Sequence, residues 1–162
     1  GTGVIDHLYS TEFSKKTNVK FIQVPYKGWA PAMTELAGGH VDCVFAAFGP
    51  AQAMEKAGKI RPLAIAKDER HPLRPNIPTM KECGVDIVMP FWESIAVPVG
   101  TPQERIEILD HAIRKSFNNP EFEKRNKNSV MVSYIGTEEI KKLRKKSNKR
   151  IKELVEMVGL MR

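Results

Sequence analysis

Short apolar runs alternate with amphipathic stretches over the first part of the chain. Val4–Phe13 sets Leu8, Tyr9 and Phe13 where one helical face can carry them. Val19–Val24 is rich in β-branched residues, reads as a strand, and ends at Pro25 before a Tyr26-Lys27-Gly28-Trp29 turn. Ala30–Leu36 predicts a helix stopped by Gly38-Gly39, and Val41–Ala47 a second, buried strand. Pro50–Ala57 predicts a helix closed by Gly58, with Pro50 in its first turn, and Ile60–Ala66 a third strand. Three prolines make residues 68–78 a loop. Thr79–Cys83 reads as a short helix ended by Gly84, and Ile87–Val97 as a long extended segment.

Helices dominate the remainder. Thr101, Pro102 and Glu104 fit the N-cap, first and third positions of a capping box, ahead of an apolar stripe of Ile106, Leu109, Ile113 and Phe117. Pro120–Lys127 predicts another short helix and Val130–Ile135 a short strand. The closing helix is N-capped by Thr137, with Glu138 and Glu139 at its positive start and a stripe broken at Ser147. Strands alternating with helices imply an α/β fold with a largely parallel sheet, built from right-handed βαβ units. In open sheets of this kind ligands sit beyond the carboxyl ends of the strands. Three turns are expected there: Gly1-Thr2-Gly3, Pro25 to Trp29, and Ala46 to Gly49.

At 162 residues the chain fits one domain by length. No apolar run approaches the roughly 20 residues of a membrane span. The start, Gly1-Thr2-Gly3-Val4, has neither Met nor a signal peptide, which points to a processed, trimmed or recombinant start. Cys43 and Cys83 lack metal or redox spacing and read as free thiols, Cys43 as a buried one. A net charge of +7 raises the question of nucleic acid. From Glu138 onward, however, nine basic residues stand against four acidic ones, so most of the excess lies on the closing helix. That helix carries no aromatic residue for base stacking, so its charge reads as a solvated face and no nucleic-acid partner is expected.

Candidate chemistry is sparse. Gly1-Thr2-Gly3 opening a helix offers N–H groups and a hydroxyl to an anion, or simply an N-cap; it is neither a P-loop nor a dinucleotide fingerprint. Tyr26, Lys27 and Gly28 read equally as an anion clamp or as a solvated lysine beside a packing tyrosine. Phe91-Trp92 reads as core or as a ligand wall. His7, His40, His71 and His111 are scattered, His40 on an exposed turn, and no GxSxG elbow exists. No catalytic residue, metal ligand or cofactor is expected. An α/β enzyme or a sensor module on the same fold remains the alternative.

Ordered matches carry a resemblance across nearly the whole chain. They run from Val24-Pro25-Tyr26-Lys27-Gly28 through Ala30-Pro31-Ala32, Leu36, Gly38-Gly39-His40-Val41-Asp42 and Phe45. They continue through Ala57-Gly58-Lys59-Ile60-Arg61-Pro62-Leu63-Ala64, Pro75-Asn76-Ile77-Pro78-Thr79, Glu82-Cys83-Gly84 and Pro98-Val99-Gly100-Thr101-Pro102. With Gly1-Thr2-Gly3, His7-Leu8 and Phe13, this resembles the substrate-binding proteins of tripartite tricarboxylate transporters, the Bug or TctC family. The resemblance implies a type II-like periplasmic-binding-protein fold, with a small carboxylate held between two α/β lobes and delivered to membrane permease subunits, outside the cytoplasm and without catalysis.

Family members are roughly twice this length, so the resemblance implies a C-terminal portion: residues 1–92 as the second lobe, and 93–162 as the crossing segment and C-terminal helices of the other lobe. It carries ligand contact onto Thr2, Gly3 and Val4, onto Tyr26, Lys27 and Gly28, onto Ala46, Ala47 and Phe48, and onto Phe91 and Trp92. Many relatives carry a polar residue where Ala46-Ala47 stands, which implies a less polar wall here. Apolar faces at Ile106, Leu109 and Ile113, and at Leu143 and Leu154, are expected to be exposed and to promote self-association.

Overall fold

The computed structural model describes residues 5–89, 91–126 and 133–159. It holds six helices: α1 (Ile5–Thr17), α2 (Trp29–Ala37), α3 (Phe48–Lys56), α4 (Gln103–Phe117), α5 (Pro120–Asn126) and α6 (Thr137–Val158). Contacts divide the chain into two units, Gly1–Pro90 with Arg150–Arg162, and Phe91–Lys149. The boundary falls inside α6.

The first unit is organised on α1. Asn18, at φ 59, ends that helix four residues beyond the expected Phe13. Leu8 and Tyr9 lie on one face and join Ile87 and Leu154 in a core of fully buried side chains. Leu154 is 0% exposed, which corrects the expectation of an open face there. Its stripe position on α6 meets α1 instead of solvent, as the large free energy of burying a leucine favours.

Beside that core sits Glu12, 1% exposed, whose Oε1 accepts from the Arg150 guanidinium and faces Lys16 Nζ at 3.4 Å. Glu12 Oε2 is buried without a hydrogen-bond partner. Burial pushes the Tyr9 phenol above its ordinary pKa, and the Arg150 charge partly offsets this. The Lys15 ammonium donates to the Met157 carbonyl, a further tie between α1 and the end of α6.

The described residues of the segments expected as strands adopt no regular structure, with bends at Val41, Asp42 and Ala66. Among the described residues they form no ladder, and the pairing seen is one isolated parallel bridge, Ile65 with Thr79. Side-chain packing sets the first two segments together. Phe13, Phe21 and Phe45 form a triad with centroids 5.7 to 6.3 Å apart. The expected in–out alternation does not hold along the first segment: Phe21 is half-buried, while Val19, Ile22, Gln23 and Val24 are all exposed. Helices α2 and α3 pack on each other, with Ala32 and Met33 buried.

Several local expectations are revised. Thr79–Cys83 is a turn: Thr79 and Glu82 make the reciprocal bonds of a capping box, Glu82 N–H to Thr79 Oγ1 at 3.1 Å and Thr79 N–H to Glu82 Oε2 at 2.7 Å, but Gly84 at φ 84 stops the chain after that turn. The capping box at Thr101 does not form. Its hydroxyl donates to the Pro98 carbonyl at 2.8 Å, leaving Pro102 as the N-cap residue of α4. Thr137 is the first residue of α6, and its hydroxyl donates to Asp110 Oδ1 at 3.3 Å. Helix α6 passes unbroken through Ser147, which is buried. Cys43 is exposed. Of Val130–Ile135, residues 130–132 lie outside the described set, and 133–135 form no strand.

In the second unit α4 packs against α5, with Phe117 tilted at 46° against Phe122 at 4.7 Å and edge-on to Tyr134 at 6.1 Å. The Arg114 guanidinium lies 5.1 Å from the Tyr134 ring centroid.

The buried carboxylate dictates a stability test. Arg150→Met strands the Glu12 charge with Lys16 as its remaining cation, and should cost about 3 kcal/mol in urea denaturation. Glu12→Leu combined with Arg150→Met removes both charges and should recover most of that loss. A single variant as stable as the wild type would show that the pair is not coupled.

Candidate functional site

A second face of α1, carrying Asp6, Ser10, Phe13 and Ser14, organises the candidate site. Asp6 Oδ2 accepts from the Trp29 indole N–H at 2.8 Å, and Ser10 Oγ accepts from Gln23 Nε2 at 2.8 Å. Phe13 meets Phe21 at 5.8 Å, and the Ser14 hydroxyl donates to the Val19 carbonyl. The contacts ascend α1 as they descend from Trp29 to Val19. The extended segment therefore runs antiparallel to the helix along this face. Residues 25–28 are thereby delivered to the N-terminal end of α1, where the helix dipole favours negative charge.

That loop holds three expected site residues. Tyr26 is half-buried, and Lys27 and Gly28 are exposed. Gly28 has φ 109 and ψ 176 and serves as N-cap of α2 with no side-chain cap bond. This backbone region is essentially restricted to glycine. A Cβ built there would meet nothing within 4 Å, so the backbone angle, and not crowding, requires the glycine.

Ala46, Ala47 and Phe48 follow Phe45, which the aromatic triad sets beside the first segment. Ala47 is the N-cap residue of α3, again without a side-chain cap bond, so both helix starts leave N–H groups for other acceptors. Phe48 is half-buried and already engaged. Its ring stacks on His71 at 5.6 Å and 27°, and Arg74 lies 5.1 Å from its centroid. Arg74 also pairs with Glu55 at 3.2 Å. Phe48 and Glu55 are seven residues apart on one face of α3, so the 68–78 loop clamps that face. The exposed methyl of Ala46 and the half-buried Ala47 remain as a small, apolar edge.

Phe91 and Trp92 belong to the second unit. Phe91 is exposed, while the Trp92 indole N–H donates to Ser147 Oγ at 2.9 Å. This bond explains the polar break in the α6 stripe: buried Ser147 is the acceptor for a half-buried indole. Thr2, Gly3 and Val4 lie outside the described residues. Asp6, Ser10 and Gln23 were not identified from sequence, whereas Trp29 was expected only as the end of the Pro25–Trp29 turn.

The second unit also contains an open hollow of about 750 Å³ lined by Gln103, Glu107, Asp110, Arg114, Tyr134 and Glu139, among others. Asp110 there is committed to Tyr134 and Thr137, and the lining charges are mixed. None of the expected site residues lines it. Among the described residues no group of His, Cys, Asp and Glu is arranged to hold a metal ion, and no helix is long and apolar enough to cross a membrane.

Comparison with known proteins adds an independent line. The family model described as "Tripartite tricarboxylate transporter family receptor" matches residues 1–160. The "UPF0065 protein in gbd 5'region" of Cupriavidus necator is 31% identical over 156 residues, covering 95% of this chain and 47% of the relative. The structure described as "R. palustris Rpa4515 with adipate" superimposes with a TM-score of 0.86 at 25% identity, over 95% of this chain and 52% of that one. The periplasmic binding protein BugD gives 0.84 at 28% identity, over 98% and 55%. The chain thus spans about half the length of these relatives.

The Phe48 clamp has a pH signature. Burial, followed by the Lys67 and Arg74 charges, holds the His71 imidazole below its ordinary pKa of 6.5. The folded protein therefore binds fewer protons at this site than the unfolded chain. Its stabilising effect is complete above that pH and is lost as pH falls from 6.5 through the lowered value. Melting temperatures recorded across this window should decline on acidification, and His71→Gln should flatten the decline. An identical slope in the variant would remove His71 as its source.

Proposed function

Since the chain belongs to the tripartite tricarboxylate transporter receptor family, we propose that it is part of an extracytoplasmic solute-binding protein. It binds a small carboxylate between two lobes and hands it to membrane permease subunits, without catalysis. The observation that carries this reading is the family match over residues 1–160, nearly the whole chain. The fold of structures solved as periplasmic binding proteins supports it, as does the adipate in one of them.

In this reading residues 1–92 are the second lobe, whose extended segments belong to a largely parallel sheet. Residues 93–162 are the crossing segment and the returning helices, with their last turns packed on α1. The ligand carboxylate is taken by the helix start at Thr2, Gly3 and Val4 and by Lys27 on the Tyr26–Gly28 loop. Ala46, Ala47 and Phe48 supply an apolar border, and Phe91 and Trp92 sit where the crossing segment meets the cleft. Two features of the first unit favour an anion: an exposed ammonium on a tethered loop, and helix starts whose N–H groups lack side-chain caps. Self-association of the chain alone belongs to the same proposal. It would proceed through α4, where Leu109 is 43% exposed although the expected Ile106 and Ile113, like Leu143 on α6, are half-buried, and a monomer in light scattering would argue against it.

The direct experiment is a thermal-shift screen of the full-length protein against aliphatic di- and tricarboxylates, amino acids and aromatic acids, followed by calorimetry. A ligand at about 100 times its Kd should stabilise by about 2.7 kcal/mol. Lys27→Met and Thr2→Ala should each weaken carboxylate binding by about 1.5–3 kcal/mol, the value of one hydrogen bond to a charged group. Turnover of an ester or phosphate, with no carboxylate shifting the melting temperature, would favour the enzyme alternative.

A further inference from the structure

Lys27 sits on a loop whose backbone has little reason to hold still. It precedes a glycine, which carries the largest conformational entropy of any residue, and that glycine adopts φ 109 and ψ 176. Backbone in this region persists when its surroundings over-determine it. Here the surroundings are two side-chain tethers to one helix face, one on each side of the loop: Gln23 to Ser10 before it, and Trp29 to Asp6 after it.

Each tether is well supported. Ser10 is 6% exposed, and its hydroxyl donates to the His7 carbonyl at 3.0 Å while accepting from Gln23. This fixes its lone pairs toward the loop. Asp6 lies in the first turn of α1, where the helix dipole stabilises its carboxylate. Trp29 is the first residue of α2, so its indole reaches back over the loop to Asp6.

We propose that Asp6 is a positioning residue for ligand binding: through the Trp29 indole, and with Ser10 anchoring the other flank, it holds the Tyr26–Gly28 loop in the conformation that presents Lys27 to an anion. This rests on the carboxylate-binding reading above. The placement of an acid there is otherwise unfavourable, because a carboxylate near an anionic ligand repels it. What the loop needs from Asp6 is the acceptor oxygen, and the charge is a cost. The two contributions separate experimentally. Asp6→Asn keeps an acceptor and removes the charge, whereas Asp6→Ala removes both.

The test uses the full-length protein with adipate as the first probe, extended to the other carboxylates of the screen. Affinity is measured by calorimetry, and the indole N–H resonances are followed by NMR. Asp6→Ala should raise the Kd about tenfold, as the loss of one charge-assisted hydrogen bond predicts, and should move one indole resonance. Asp6→Asn should bind at least as tightly as the wild type. Trp29→Phe, which deletes the donor and leaves α1 intact, should reproduce the loss and serves if Asp6→Ala does not fold. A wild-type affinity in Trp29→Phe or Asp6→Ala, or an Asp6→Asn as weak as Asp6→Ala, overturns the positioning role while leaving carboxylate binding intact. A wild type that binds none of the carboxylates overturns both.

Discussion

The pairing of buried Glu12 with half-buried Arg150 fixes the last turns of α6 on α1, and the first unit is built outward from that contact. A carboxylate that is 1% exposed must have a cation, and the guanidinium that supplies it comes from a residue 138 positions away. Leu154, one turn further along α6, then drops into the core beside Leu8, Tyr9 and Ile87. The ion pair gives this packing a register that hydrophobic burial alone would leave loose. The orphaned Oε2 shows the cost of the arrangement, a polar atom removed from water without a full set of partners.

Because α1 is held on that face, its other face can act as a template. Residues three and four apart share a helix face, so Asp6, Ser10, Phe13 and Ser14 form a row against which the returning segment is laid in order. The same helix therefore stabilises the unit and aligns the candidate loop. Two neutral hydrogen-bond donors, Gln23 and Trp29, tie the flanks of the Lys27 loop to this face. At the turn after the second segment the aromatic ring of Phe48 is taken up by His71 and Arg74, so the side chains left beside it are the small ones of Ala46 and Ala47.

Much of the secondary structure was legible. The helices were placed within a few residues of where they lie, since glycine and proline stops act locally and the α4 and α6 stripes follow the helical repeat. The exception is Thr79–Cys83, stopped as a turn by Gly84, and three further departures share one cause, competition for a hydroxyl. Thr101 had the right spacing for a capping box, but its hydroxyl found the Pro98 carbonyl. Thr137 found Asp110, and Ser147, a flaw in an apolar stripe, proved to be the acceptor for Trp92. Spacing reports which groups can meet within one element and is silent on a partner arriving from another.

By itself the sequence determined most of the helices, and the family through its ordered motifs. These rest on local propensity and residue identity. The tertiary structure decided what those motifs could not: that Leu154 is buried, that Phe48 is already clamped, and that Asp6 and Ser10 hold the loop carrying Lys27. Each depends on contacts between residues far apart in the chain. Nothing in the local pattern of a lone aspartate or serine encodes which donor will reach it, because that is set by the fold bringing an indole or an amide within hydrogen-bond distance.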